Sequence, residues 1–115
     1  MSDNKDKLVV LWTSGDKEVA LKMVFMYTLN AKLRGWFKDV TLVVWGPSTK
    51  LLSEDEDLQN YIGTIKDSEV EVLACRACTD EYGVTEALEK MAIEVIYMGE
   101  PLTSYLKDDI KIITF

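Results

Sequence analysis

The sequence predicts an α/β fold built on a parallel sheet, and three observations carry that prediction. Five apolar runs short enough to be strands alternate with segments of helical period. The first of them, Leu8 to Trp12, is apolar without alternation, which marks a strand covered on both faces. Glycine or proline stands at most of the junctions between runs, where a chain reversing direction needs it. The 115 residues are expected to form one domain, 1–115, with residues 1–6 a flexible amino terminus.

After Leu8 to Trp12 the loop Thr13-Ser14-Gly15-Asp16 offers a hydroxyl N-cap and a glycine that lets backbone come close to a ligand. Lys17 to Arg34 reads as the longest helix. Ala20, Val24, Tyr27 and Ala31 form one apolar stripe and Leu21, Phe25 and Leu29 a second, while Met23 and Met26 fill much of the rest. Only Lys22 is charged between Val19 and Leu29. A helix apolar nearly all round must be covered on more than one side, and a single sheet covers one. The first helix, 17–34, is therefore expected at a subunit interface of a homo-oligomer.

Gly35 ends that helix, and Val40 to Trp45 is the second strand, closed by Gly46-Pro47-Ser48. Ser53-Glu54-Asp55-Glu56 matches a capping box with Ser53 as N-cap, opening a helix whose buried face is Leu58, Tyr61, Ile62 and Ile65. The adjacent carboxylates Glu54 to Asp57 point in different directions around a helix and do not converge on one ion. Val70 to Ala74 is the third strand. A turn of helix through Tyr82 and Gly83 follows, then a short helix with Val84, Leu88 and Met91 on one side. Ile93 to Met98 is the fourth strand. Gly99 ends that strand, Pro101 suits the first position of a last short helix through about Lys107, and Ile110 to Phe115 is a fifth strand at an edge.

Composition narrows the chemistry. Twenty acidic residues against 13 basic ones give a net charge of −7, and no basic cluster interrupts them, so neither nucleic acid nor an anionic membrane surface is an expected partner. Leu8 to Trp12, the longest apolar run near the amino terminus, is too short for a signal-peptide core or a membrane span, and a cytoplasmic location is expected. The absence of histidine removes Cys-His and serine-triad catalysis and most zinc sites. No cofactor or metal is expected.

The remaining nucleophiles of note are Cys75 and Cys78, in the run Val72-Leu73-Ala74-Cys75-Arg76-Ala77-Cys78. They fall where a strand pattern gives way to a helical one, the edge at which open α/β sheets place their ligands. A thiol there, beside free helical N–H groups and Arg76, is expected to ionise below the ordinary ~8.5. Sulfur transfer, thiol-disulfide exchange and a metal bridge between subunits all use such a pair; two small buried core residues would look the same in sequence.

In its order of features the chain resembles the DsrE/DsrF-like family of small sulfur-relay proteins. The resemblance rests on Ser14-Gly15 after the first strand, the long helix ending near Gly35, and Val43-Val44-Trp45-Gly46-Pro47 with Leu51-Leu52. It rests most of all on Val70 to Cys75 followed by Tyr82-Gly83-Val84 and Ile93 to Gly99. It implies a three-layer α/β/α sandwich on a five-stranded parallel sheet, flavodoxin-like in appearance, that assembles into oligomers and meets sulfur-relay partners. It also implies a cysteine that accepts sulfane sulfur as a persulfide. Cys75 matches that position, while Cys78 departs from relay subunits with one cysteine in this loop and is expected as a resolving thiol. The expected cleft is lined by Trp12, Ser14, Gly15, Gly46, Arg76, Tyr82, Met98 and Gly99, with Trp12 and Trp45 roofing an apolar pocket near the thiols.

Overall fold

The computed structural model describes residues 4–115. Five strands form one all-parallel sheet: β1 (Lys7–Trp12), β2 (Asp39–Val44), β3 (Glu71–Cys75), β4 (Glu94–Ile96) and β5 (Lys111–Thr114). Their spatial order is β4-β3-β2-β1-β5, so β5 is an edge strand as its Lys111 and Thr114 suggest. The chain steps in one direction from β1 to β4, with its first helices all on one face, and then returns across the other face to β5. Those first helices are α1 (Lys17–Val19), continuing through a π-helical stretch (Ala20–Phe25) into α2 (Met26–Leu33), then α3 (Pro47–Glu54), α4 (Glu56–Asp67), α5 (Arg76–Tyr82) and α6 (Thr85–Lys90). The return helix is α7 (Gly99–Lys107). The result is the expected three-layer α/β/α sandwich.

Strand parity divides the core. Leu8, Val10, Trp12, Val40, Leu42, Val44, Val72, Ala74 and Val95 point to the face covered by the first helices and bury Val24, Phe25, Leu52, Leu58, Ile62, Ile65 and Leu88. The alternate positions Val9, Val43, Leu73 and Cys75 point the other way and meet Met98, with Tyr105 of α7 packed against them. One face thus has a multi-helix roof and the other mainly a nine-residue helix.

Local details depart from expectation in ways that bear on the site. The amino terminus of the long helix is capped by Asp16, whose carboxylate accepts from the N–H groups of Glu18 (2.8 Å) and Val19 (3.3 Å), and not by a hydroxyl. The buried stripe becomes Ala20, Val24, Phe25, Thr28 and Ala31, because the wider π turn rephases it. Gly46-Pro47 starts a helix where only a turn was expected; Pro47 sits at its first position, where a missing N–H costs nothing. Ser53 consequently lies inside α3 and bonds the Lys50 carbonyl. The cap of α4 is Asp55, which accepts the Leu58 N–H at 3.0 Å. Asn4–Asp6 form a 3₁₀ turn in which the Asn4 side-chain amide donates to the Asp108 carbonyl, whereas the expectation for residues 1–3 lies outside the described residues. No helix among the described residues is long and apolar enough to cross a membrane.

Candidate functional site

The two cysteines stand on either side of the β3–α5 junction. Cys75 is the last residue of β3 and the N-cap of α5, with extended backbone angles (φ −75°, ψ 114°), and Cys78 is the third residue of the helix. N-cap and N3 side chains are neighbours across a first helical turn, the same adjacency that lets a capping box close. Both thiols are free. Their surroundings differ: Cys75 is 4% exposed among Val9, Val43, Leu73 and Met98, whereas Cys78 is half-buried at the margin of the same cluster, near Trp45.

Gly46 supplies the polar contact at the site. Its φ of +73° and ψ of −140° turn the chain out of β2, and its N–H donates to the Cys78 Sγ at 3.4 Å. Burial pushes the Cys78 thiol up from its ordinary range; Cys75 adds to the rise, the Gly46 N–H opposes it, and Glu81 contributes in the upward direction. The lowering expected at this junction is therefore reversed for the thiol that solvent reaches. Arg76 does not supply the expected free positive charge. Its guanidinium donates to Glu89 (3.2 Å) and to the Val95 carbonyl (3.1 Å), and Asp80 lies 4.0 Å away.

The expected cleft residues separate into groups. Met98, 1% exposed, belongs to the same buried cluster as Cys75. Trp12 does not: it is fully buried on the opposite face of the sheet, edge-on to Phe25 at 4.9 Å, and its Nε1 has no hydrogen-bond partner among the described residues. Trp45 sits one residue beyond the end of β2 and so turns to the thiol face, which rules out the shared roof. Gly15 and Tyr82 come together with Pro47, Lys50, Leu51 and Glu54 around a cleft of about 390 Å³. A Cβ on Gly15 would press the Pro47 Cβ at 3.3 Å, so glycine is what allows that loop to approach α3. Tyr82 lies one helical turn after Cys78, on the same side of α5. Ser14 is turned to local bonds, accepting the Asp16 N–H and donating its own N–H to the Phe115 carbonyl. Gly99 borders a separate hollow with Glu100, Thr103, Ser104 and Lys107. Pro47, Lys50 and Glu54 were missed; the Gly-Pro pair that opens α3 was the available signal.

A second surface feature lies far from the thiols in sequence. Met23, Met26, Tyr27 and Trp36, with Lys22, Asn30 and Phe115, line an apolar groove of about 380 Å³ along the long helix. Met23, Met26 and Trp36 are each about half exposed, and Leu33 more so.

Comparison with known proteins places these observations. The DsrE/DsrF-like family profile matches residues 6–115. A search of curated proteins gives no match. Among solved structures, the conserved protein of unknown function BT1422 from Bacteroides thetaiotaomicron is 38% identical over 100% of this chain and 99% of its own, with a TM-score of 0.96. The ychN protein from E. coli is 16% identical over 95% of this chain and 98% of its own (TM-score 0.73). MTH1491 from Methanobacterium thermoautotrophicum, also of unknown function, is 12% identical over the same shares (TM-score 0.72). The last two show a shared fold alone. With the family profile spanning nearly the whole length of the chain, from residue 6 to residue 115, this chain belongs to the DsrE/DsrF-like family.

Proposed function

We propose that the protein is an intracellular sulfur carrier whose cysteine pair takes up sulfane sulfur as a persulfide, and that Cys78 is the thiol that meets the donor. The observation that carries this reading is the unequal exposure of the pair. Cys75 is 4% exposed in the cluster it shares with Met98, while Cys78 is open to solvent on one side and holds a main-chain donor from Gly46. This exchanges the roles expected from the family resemblance, because an incoming persulfide needs room to align with the attacking sulfur. The upward shift of the Cys78 thiol keeps more of it protonated at neutral pH than an ordinary cysteine.

Intact-mass measurement after reduction, desalting and exposure to inorganic polysulfide tests the proposal. A gain of one sulfur atom in Cys75→Ala and none in Cys78→Ala is the expected result. No gain in either variant would leave a non-catalytic binding module on the same fold, and a gain in Cys78→Ala but not in Cys75→Ala would return the role to the buried thiol.

We further infer that the protein self-associates through the first helix. Met23, Met26 and Trp36 present large apolar side chains to solvent along one groove, and Leu33 on the same helix is exposed too, a cost that a second copy of the chain would remove.

A further inference from the structure

We infer that Cys75 discharges the persulfide formed at Cys78, so that the pair releases sulfide and closes into a disulfide. The inference rests on the sulfur-carrier reading and assigns that site a reductive activity which a single-cysteine carrier lacks. A lone thiol can only hold the sulfur until an acceptor arrives. Here a second thiol is packed against the first, at the N-cap and N3 positions of α5, with Cys75 buried in an apolar cluster and Cys78 at its margin.

The chemistry balances without an outside oxidant. The outer sulfur on Cys78 is already at the oxidation level of elemental sulfur. Cys75 gives up its proton and attacks the inner sulfur, the Cys78 Sγ. The Sγ–S bond breaks, its electron pair leaves with the outer sulfur as hydrosulfide, and the proton accompanies it as hydrogen sulfide. The sulfane sulfur is reduced and the two cysteine sulfurs are oxidised to the disulfide. A low-molecular-weight thiol or a protein dithiol then reduces the pair and restores the carrier.

Geometry favours the step. Cys75 as N-cap and Cys78 at N3 face one another across the first turn, and a disulfide needs Cβ atoms about 3.5–4.5 Å apart. Closure therefore involves only the first turn of a seven-residue helix, whose leading N–H groups have no helical partners to lose. Burial acts in the same direction. A disulfide carries no charge and no S–H, so it suits the apolar site formed with Val43, Leu73 and Met98 better than any ionised thiol does.

The test follows the whole chain after a brief load with inorganic polysulfide and rapid desalting. Wild-type protein should release about one equivalent of sulfide, as the 1:1 exchange requires, and finish lighter than its reduced form by two hydrogens. Cys75→Ala and Cys75→Ser should keep the added sulfur and release no sulfide until a thiol is supplied. Wild-type protein that retains the added sulfur, with no mass loss and no more sulfide than the variants, overturns this inference and leaves the carrier reading standing. Failure of wild type and both variants to load overturns the carrier reading, and this one with it. The wild-type mass loss needs no variant to fold.

Discussion

Replacing Gly46 by alanine isolates the backbone's part in holding Cys78, because an added Cβ there meets nothing within 4 Å while the φ of +73° remains hostile to any L side chain. The cost is therefore conformational and not steric. A non-glycine residue in such a region costs about 1–3 kcal/mol, which for a domain of this size lowers the melting temperature by roughly 4 °C per kcal/mol. Gly63 is the internal control. It lies exposed in the middle of α4 with open space around it and no positive φ, so alanine there should stabilise by about 0.5–1 kcal/mol. The same chemical change is thus expected to move stability in opposite directions at two positions. If the 46 turn relaxes to relieve strain, its N–H also leaves the Cys78 Sγ, and iodoacetamide should then alkylate Cys78 more slowly at neutral pH. Thermal melts of both variants and an alkylation time course settle the matter. A Gly46→Ala protein that matches the parent in both would show that this turn does not position the thiol.

Three further expectations follow from the packing and the charges. Phe25 is fully buried between Trp12 and Tyr61, so Phe25→Ala should cost about 3–5 kcal/mol in urea unfolding; a loss under about 1 kcal/mol would contradict that placement. The Leu58 N–H and Lys17 hold the Asp55 carboxyl below its ordinary value. That stability is present above the unfolded carboxyl pKa and is lost as pH falls through the folded one, so Asp55→Asn should flatten the acid side of the stability curve below about pH 4. An unchanged slope refutes the assignment. Met26→Glu combined with Trp36→Ser should leave unfolding within about 1 kcal/mol of the parent, as surface changes do, yet shift sedimentation to the monomer; a parent already monomeric at high concentration removes the interface.

Much of the architecture could be read from the residues because burial on both sides of a parallel sheet leaves unbroken apolar runs, and Leu8 to Trp12 and Val72 to Cys75 are such runs. The helix stop at Gly83, in the left-handed region, was equally legible. What escaped depended on register or on distant chain. Trp12 pairs with Val44, which leaves Trp45 one step further on and facing the other way; no local pattern gives that offset. Cys75 is buried in a cluster to which Met98, more than twenty residues later at the start of α7, contributes. The charge of Arg76 was counted toward the thiols, but Glu89, on the next helix, takes it up.

The π-helical stretch Ala20–Phe25 sets the azimuth of everything after it. The same residues wound at the ordinary pitch would swing Met26 to Leu33 by about 100° around the axis, and Tyr27 would take the buried place that Thr28 holds. The wide turn thus absorbs one residue and acts as a rotary adjustment, choosing which side chains of the long helix face outward without touching the sheet.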